Sequence, residues 1–270
     1  ILITTKRADE NKISLGYTFE YGFEKPTKFP KFVSPTRFME IENELRWNDA
    51  GNGENQYPTY AKDLIDNYYT LHGQEPDAYP ITDWVDLVLK DRAPRQNHLL
   101  TISGGSKLVK TKASFAYDKT EGLYPNKDNQ RYTMRVNNDF KVSNLIAASL
   151  DFNYRRYESH SPIEDPFNSA DAISIIPSIF PGLWSDGRYG AARTGGNIYT
   201  MLKEGGFNNW YYNQIGGKIA LDLTPFDGLT LSAVFAPTFI FNEGKEFRKA
   251  IKYYDAKDPS LALGYVARYN

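Results

Sequence analysis

The residues able to do chemistry are few and scattered. His72, His98 and His160 are the only imidazoles in 270 residues, and cysteine is absent. Without thiols there are no disulfides, thiolate ligands or cysteine nucleophiles. The histidines are far apart and lack H-x-x-x-H spacing, so no zinc site is expected. Gly104-Gly105-Ser106-Lys107 looks superficially like a phosphate loop. The pattern G-x-x-x-x-G-K-[ST] is not met and no helix follows, so it reads as a hairpin turn. Asn48, Asp49, Asn52 and Glu54 offer oxygen atoms in a glycine-rich turn, but EF-hand spacing fails and a solvated turn is expected. Glu158, Glu164, Asp165 and Asp171 are carboxylates of the kind that cleave glycosides in pairs, yet nothing fixes their separation. No catalytic residue, metal or cofactor is expected. What remains is aromatic: Trp184, Tyr189, Trp210, Tyr211 and Tyr212, placed on a long loop. Such rings stack on sugars; they equally suit packing of a loop against its scaffold.

The elements that would position those rings read as β-strands. Ile13, Leu15, Tyr17, Phe19, Tyr21 and Phe23 alternate with Ser14, Gly16, Thr18, Glu20 and Gly22, a period of two. Strands are expected near 12–23, 97–104, 108–119, 131–140, 145–156, 213–224 and 229–242, with Pro237 marking an irregularity in the last. Each is about as long as a tilted strand that crosses a bilayer, roughly 9–11 residues. Lys110, Lys112 and Asp118 share one face of their strand, and Val109, Phe115 and Tyr117 the other. Charges in mid-strand are costly against lipid and natural against a wet pore. Tyr117, Tyr132 and Tyr154 fall near strand ends, where an aromatic girdle belongs.

Between the strands run long excursions at 24–96 and 157–212. The first reads as partly helical. Ser34 caps a helix with Pro35 in its first turn and Phe38, Ile41 and Leu45 at helical spacing. A second helix is expected over 59–71, and a third capped by Thr82. Ala170–Ile176 is expected to be a short helix opened by Ser169. Short turns at 104–107, 141–144 and 225–228 alternate with excursions at 24–96, 120–130 and 157–212. Outer-membrane barrels follow that rule, short on the periplasmic side and long outside.

Bulk properties agree. A mean hydropathy of -0.55 and the lack of any run of about 18 apolar residues exclude a transmembrane helix but not a barrel, whose alternating faces average out. Net charge is -1, which excludes electrostatic binding to nucleic acid. Both ends read as interrupted strands, so a fragment of a longer protein is expected.

Several segments, taken in order, resemble SusC/RagA-type TonB-dependent outer-membrane transporters of Bacteroidota. Ile1-Leu2-Ile3-Thr4-Thr5-Lys6 is similar to the last strand of that family's plug domain. Tyr79-Pro80-Ile81-Thr82-Asp83-Trp84 resembles its YPxTDW segment. His98–Gly105, Ser114-Phe115-Ala116-Tyr117 and Glu121-Gly122 resemble its first long hairpin, and Arg131–Phe140 continues the match. The resemblance covers most of 1–157 and, more loosely, 213–241. It implies an all-β fold, part of a 22-stranded antiparallel transmembrane barrel with long, partly helical extracellular loops. Residues 1–11 would end the plug and link it to the barrel, and 12–270 would be the N-terminal portion of the barrel. The implied activity is energy-coupled import of a large nutrient, an oligosaccharide or a peptide, through TonB and with a SusD-like surface lipoprotein. The competing expectation from the residues is a soluble extracellular glycan-binding or glycan-degrading β protein, with its aromatic faces buried between two sheets.

Overall fold

The computed structural model describes residues 7–29, 31–168, 172–192, 195–255 and 262–265. The N-terminal strand expected over 1–6 and the cap expected at Ser169 lie outside them. The frame is an antiparallel meander in which each strand pairs with the next: β1 (Ser14–Glu24), β2 (Ala93–Gly105), β3 (Val109–Glu121), β4 (Asp128–Lys141), β5 (Ile146–Pro162) and β6 (Gly206–Phe226). The last lane is split into β7 (Leu229–Phe235) and β8 (Thr238–Arg248), which pair with the two ends of β6. Pro237 causes the split. It has no N–H to give the ladder, although its carbonyl still accepts from Gly217 N at 2.9–3.0 Å hydrogen-bond length (3.0 Å). The antiparallel all-β expectation is met. The seventh lane runs further than expected, to Arg248, because charged residues past Asn242 continue the alternation in register with β6.

All the short connections lie at one end of the sheet and all the long ones at the other. Gly228 (φ +88°) makes the sharpest reversal, a two-residue Asp-Gly loop between Phe226 and Leu229. The long connections are 25–92, 122–127 and 163–205. The expected loop 157–212 is therefore too wide at both ends. β5 continues to Pro162 and β6 begins at Gly206, since Ser159, Ser161, Asn208 and Trp210 keep the two-residue period that a composition of loop-forming residues conceals.

The long connections fold into a cap with its own core. α1 (Pro35–Asp49) is capped by the Ser34 side chain, which accepts from Arg37 N. α2 (Lys62–Gln74) packs against it, burying Met39, Ile65 and Tyr68. The buried stripe of α1 is Pro35, Met39 and Asn43; of the apolar trio that the spacing suggests, Phe38 packs half-buried against the α1–α2 core, while Ile41 and Leu45 are 41% and 50% exposed. Asn43 wins the inner position by hydrogen bonding. Its Nδ2 donates to Tyr60 O, and its Oδ1 accepts from Thr59 N and Tyr60 N. α3 (Trp84–Val88) is capped by Asp83, one residue after the expected Thr82, because the carboxylate reaches both Val85 N and Asp86 N. α4 (Ile198–Glu204) completes the set, and residues 172–176 form turns rather than the expected helix. Past β8 the chain turns back into the cap through β9 (Ile251–Tyr254), paired with β10 (Ala262–Tyr265).

Two outcomes follow for the α1–α2 pair. Asn43→Ala strands the Thr59 and Tyr60 amides and is expected to cost about 2–3 kcal/mol, read as faster hydrogen exchange at those two amides. Burial pushes the Tyr68 hydroxyl up to about 12. A raised folded-state value means the contribution is intact below about pH 10 and is lost as pH rises toward 12. Tyr68→Phe is expected to flatten that part of the alkaline unfolding curve, at the expense of the hydrogen bond from its Oη to Pro80 O.

Candidate functional site

From β2 to β6 nearly every residue has partners in register on both sides, so side chains sort into rows that cross the whole sheet. One row is Tyr17, Leu100, Phe115, Met134, Tyr154, Ile215 and Phe239. The next parallel row on the other face is Gly16, Thr101, Ser114, Arg135, Asn153, Gly216 and Thr238. The first face is apolar and uncovered. On β1 alone, Ile13 to Phe23 on that face are 52–88% exposed. The three buried clusters among the described residues draw on the cap and β9, and none lies under the sheet. Among the described residues, no second sheet presses on the aromatic side.

The apolar band is bounded and oblique. On β1 it centres on Tyr17 to Phe19; on β6 it centres on Ile219. The pairing carries Ile219 through Leu150, Asn138, Thr111 and Gly104 to the level of Ile13. The band therefore slips four to six residues (17 or 19 against 13) over five strand intervals. At about 3.3 Å per residue and 4.8 Å per strand, that is a tilt of roughly 35°. From β2 to β4, the band ends toward the cap in ring neighbours, His98, Tyr117 and Tyr132, which with Phe19 of β1 have successive centroids 4.8, 6.0 and 5.0 Å apart; on β1 it runs on to Tyr21 and Phe23. Both tyrosines donate from Oη to Gln130 Oε1. One row further out, the residues turn polar: Gln96, Lys119, Gln130 and Glu158.

The opposite face is wet and charged. Lys112, Arg135, Asp151, Arg155 and Lys218 all point there. The chain entering β1 folds over its lower part. Arg7 donates from Nη1 and Nη2 to the two carboxylate oxygens of Asp151 (2.5 and 2.8 Å), and its Nη1 is 3.3 Å from Asp139. That fork holds the Arg7 guanidinium above its usual value, the Asp151 hydrogen bonds first among the causes. Asn11 N reaches Gly105 O, and Glu10 lies 3.6 Å from Lys110.

The five aromatic candidates do not form one site. Trp184 and Tyr189 are structural members of the cap. Trp184 Nε1 donates to Tyr254 O, Leu183 bridges Tyr189, and Tyr189 packs on Met201, Ile251 and Tyr253. Trp210, Tyr211 and Tyr212 belong to β6, so the pleat divides them. Trp210 and Tyr212 share the wet face, with ring centroids 6.1 Å apart. Tyr211 lies on the apolar side, under the Arg156 guanidinium and beside His160. The two-residue period was readable in Trp210-Tyr211-Tyr212 once Ile215, Gly217 and Ile219 were in phase.

Two structural devices escaped the sequence reading. Thr82, Asp83 and Trp84 bind the first long connection to the third. Thr82 Oγ1 donates to Phe180 O and accepts from Gly182 N, while buried Trp84 donates from Nε1 to Pro177 O. Asn197 is fully buried; it donates to Gly182 O and Gly190 O and caps α4 through Tyr199 N and Thr200 N. The signal for the first was the motif itself, whose residue types are those of a cap plus an anchor; Asn197 carried none. Among the described residues, no three His, Asp or Glu side chains converge as a metal site.

No family model matches the chain. A TonB-dependent receptor, P26, of Formosa agariphila is 26% identical over 171 residues, 61% of this chain and 17% of that protein. The RagAB peptide importer in its closed-closed state superposes with a TM-score of 0.69 at 14% identity, over 91% of this chain and 30% of that one. In the open-open state the TM-score is 0.65, over 90% and 29%. The chain thus spans about a sixth of the curated relative and three tenths of the solved chains. In fold, and over 171 residues in sequence, it is similar to a segment of a SusC/RagA-type TonB-dependent transporter.

Proposed function

We propose that this chain is wall and cap of an outer-membrane barrel that imports a large nutrient, an oligosaccharide, with energy delivered through TonB and with a SusD-like surface lipoprotein as partner. Residues 1–11 are read as the end of a plug and its link, and 12–270 as the first part of the barrel. The observation that carries the reading is the uncovered apolar face. A contiguous apolar surface of this size in water marks an interaction site or an aggregation liability. Against hydrocarbon it is the expected exterior, banded by aromatic rings and backed by a charged interior. The free edges of β1 and β8 fit the same reading, because lipid forces a sheet to close and further strands would complete the ring. On this reading the chain works by binding and passage rather than by covalent chemistry. A soluble glycan-binding sandwich would need a second sheet over Tyr17, Phe115 and Phe239, and those residues are uncovered.

Deleting the full-length gene is expected to abolish uptake of its oligosaccharide, and a protonophore should mimic the deletion. Uptake that continues in the deletion strain would overturn the proposal. The two faces give a second test. Leu100→Arg, in the middle of the apolar band, is expected to lose about 2–4 kcal/mol of folding stability in lipid vesicles. Thr101→Arg, on the wet face one residue along, is expected to fold as well as the parent. Equal tolerance of both would mean that the apolar face does not meet lipid.

A further inference from the structure

Two adjacent rows of the wet face contain arginine and no acid. Arg155 shares its row with Thr18, Leu99, Ala116, Thr133, Gln214 and Ile240. Arg135 shares the next with Gly16, Thr101, Ser114, Asn153, Gly216 and Thr238. The two arginines sit on neighbouring strands as diagonal neighbours, about 7–8 Å apart at the backbone. Both are exposed, and among the described residues neither enters an ion pair. On the flanking rows Asp118 is held by Arg131 and Asn97 and Asp151 by Arg7, while Glu20 lies on β1 at the far edge of the sheet; Asp139, one row further out, also meets Arg7. Like charges this close across a strand pair are destabilising when nothing lies between them. A shallow hollow of about 180 Å³ opens beside Arg135, lined by Asn137, Asn153, Gly217 and Lys218 and by Asp151, whose carboxylate is taken by Arg7. Asn153 lies over Gly216 so closely that a Cβ there would strike its amide. Above Arg155, on the cap side, Gln214, Tyr212 and Trp210 rise along β6 on the same face.

We propose that this strip, from the Trp210–Tyr212 rings down to Arg155 and Arg135, binds an acidic oligosaccharide, one bearing carboxylate or sulfate groups. The assignment rests on the import reading above and narrows its substrate. The rings offer flat apolar surface to a sugar face. The two guanidiniums offer planar forks that match carboxylate and sulfate oxygens, and an anion held between them removes their mutual repulsion. Cationic side chains in a wet pore are also how anion-selective channels are lined. From Trp210 to Gly216 the strip is about 20 Å long, room for several sugar units rather than one. An acidic peptide shares the charge but makes no comparable use of the paired rings.

The test uses the full-length transporter purified in detergent and the double variant Arg135→Gln, Arg155→Gln, with heat-modifiable gel mobility confirming that each is folded. The probes are an oligogalacturonate, a chondroitin sulfate oligosaccharide, a neutral laminarin oligosaccharide and a poly-glutamate peptide. Binding of either acidic sugar, weakening as salt rises and falling roughly tenfold or more in the double variant, is the expected result. Carboxylate or sulfate preference is read from which of the two binds. Tighter binding of the neutral sugar, binding of poly-glutamate alone, or affinity for acidic sugars unchanged in the variant would each overturn it. Energy-dependent uptake of a neutral oligosaccharide by wild-type cells would leave the import reading standing while this one fell.

Discussion

The shared hydrogen-bond register from β1 to β8 is the constraint on which the rest of this structure depends. Nearly every strand residue from Ser14 on β1 to Arg248 on β8 is placed by a partner on the neighbouring strand. Because the pleat alternates, one phase choice sets the face of all the others. Slipping β3 by one residue would send Lys110, Lys112 and Asp118 to the apolar side and Val109, Phe115 and Tyr117 to the wet one. Such a strand would put charges among the apolar rows and rings among the charged ones. The contrast between the two faces therefore specifies the register more strongly than any turn does. Where the ladder must break, at Pro237, the strand resumes in phase, so Phe235 and Phe239 stay on one side.

The cap obeys different physics. It has no ladder to organise it, and its stability comes from buried polar side chains that satisfy irregular backbone. Asn43 holds the 59–60 turn, Asn197 ties Gly182 and Gly190 to the start of α4, and Thr82 with Trp84 clips the first long connection to the third, roughly a hundred residues on. Removing any of these leaves donors and acceptors in a place water does not reach. Around them only small apolar clusters form, so the cap has few redundant contacts. A wall set by its ladder and a cap built from a few specific bonds are consistent with the proposed import function.

Charge on the wet face is apportioned unevenly, and the entering chain is part of the accounting. Arg7 occupies both Asp139 and Asp151, two acids in the half of the face toward the short turns. Higher up, Arg131 takes Asp118. What is left between is cationic. Arg7, far away in sequence, sharpens the pattern when it is brought onto the sheet.

Alternation in single strands showed the fold class, because a period of two in Ile13 to Phe23 or Lys110 to Asp118 is a local property that survives without any partner. The same period hid where the strands ended. Ser159, Asn208 and Asn209 are loop formers by composition and strand residues by pairing, and only the β5–β6 ladder shows it. Helical spacing in α1 pointed to the apolar Ile41 and Leu45, while the buried place went to Asn43, since three backbone hydrogen bonds outweigh hydrophobic area at that contact. The aromatic candidates could be named from composition, yet their grouping could not. The pleat sent Tyr211 away from Trp210 and Tyr212, and β9 drew Trp184 and Tyr189 into the cap. The lone arginine pair on the wet face, likewise, exists only in register, for it is defined by which acids are absent from two rows drawn from seven separate stretches of chain.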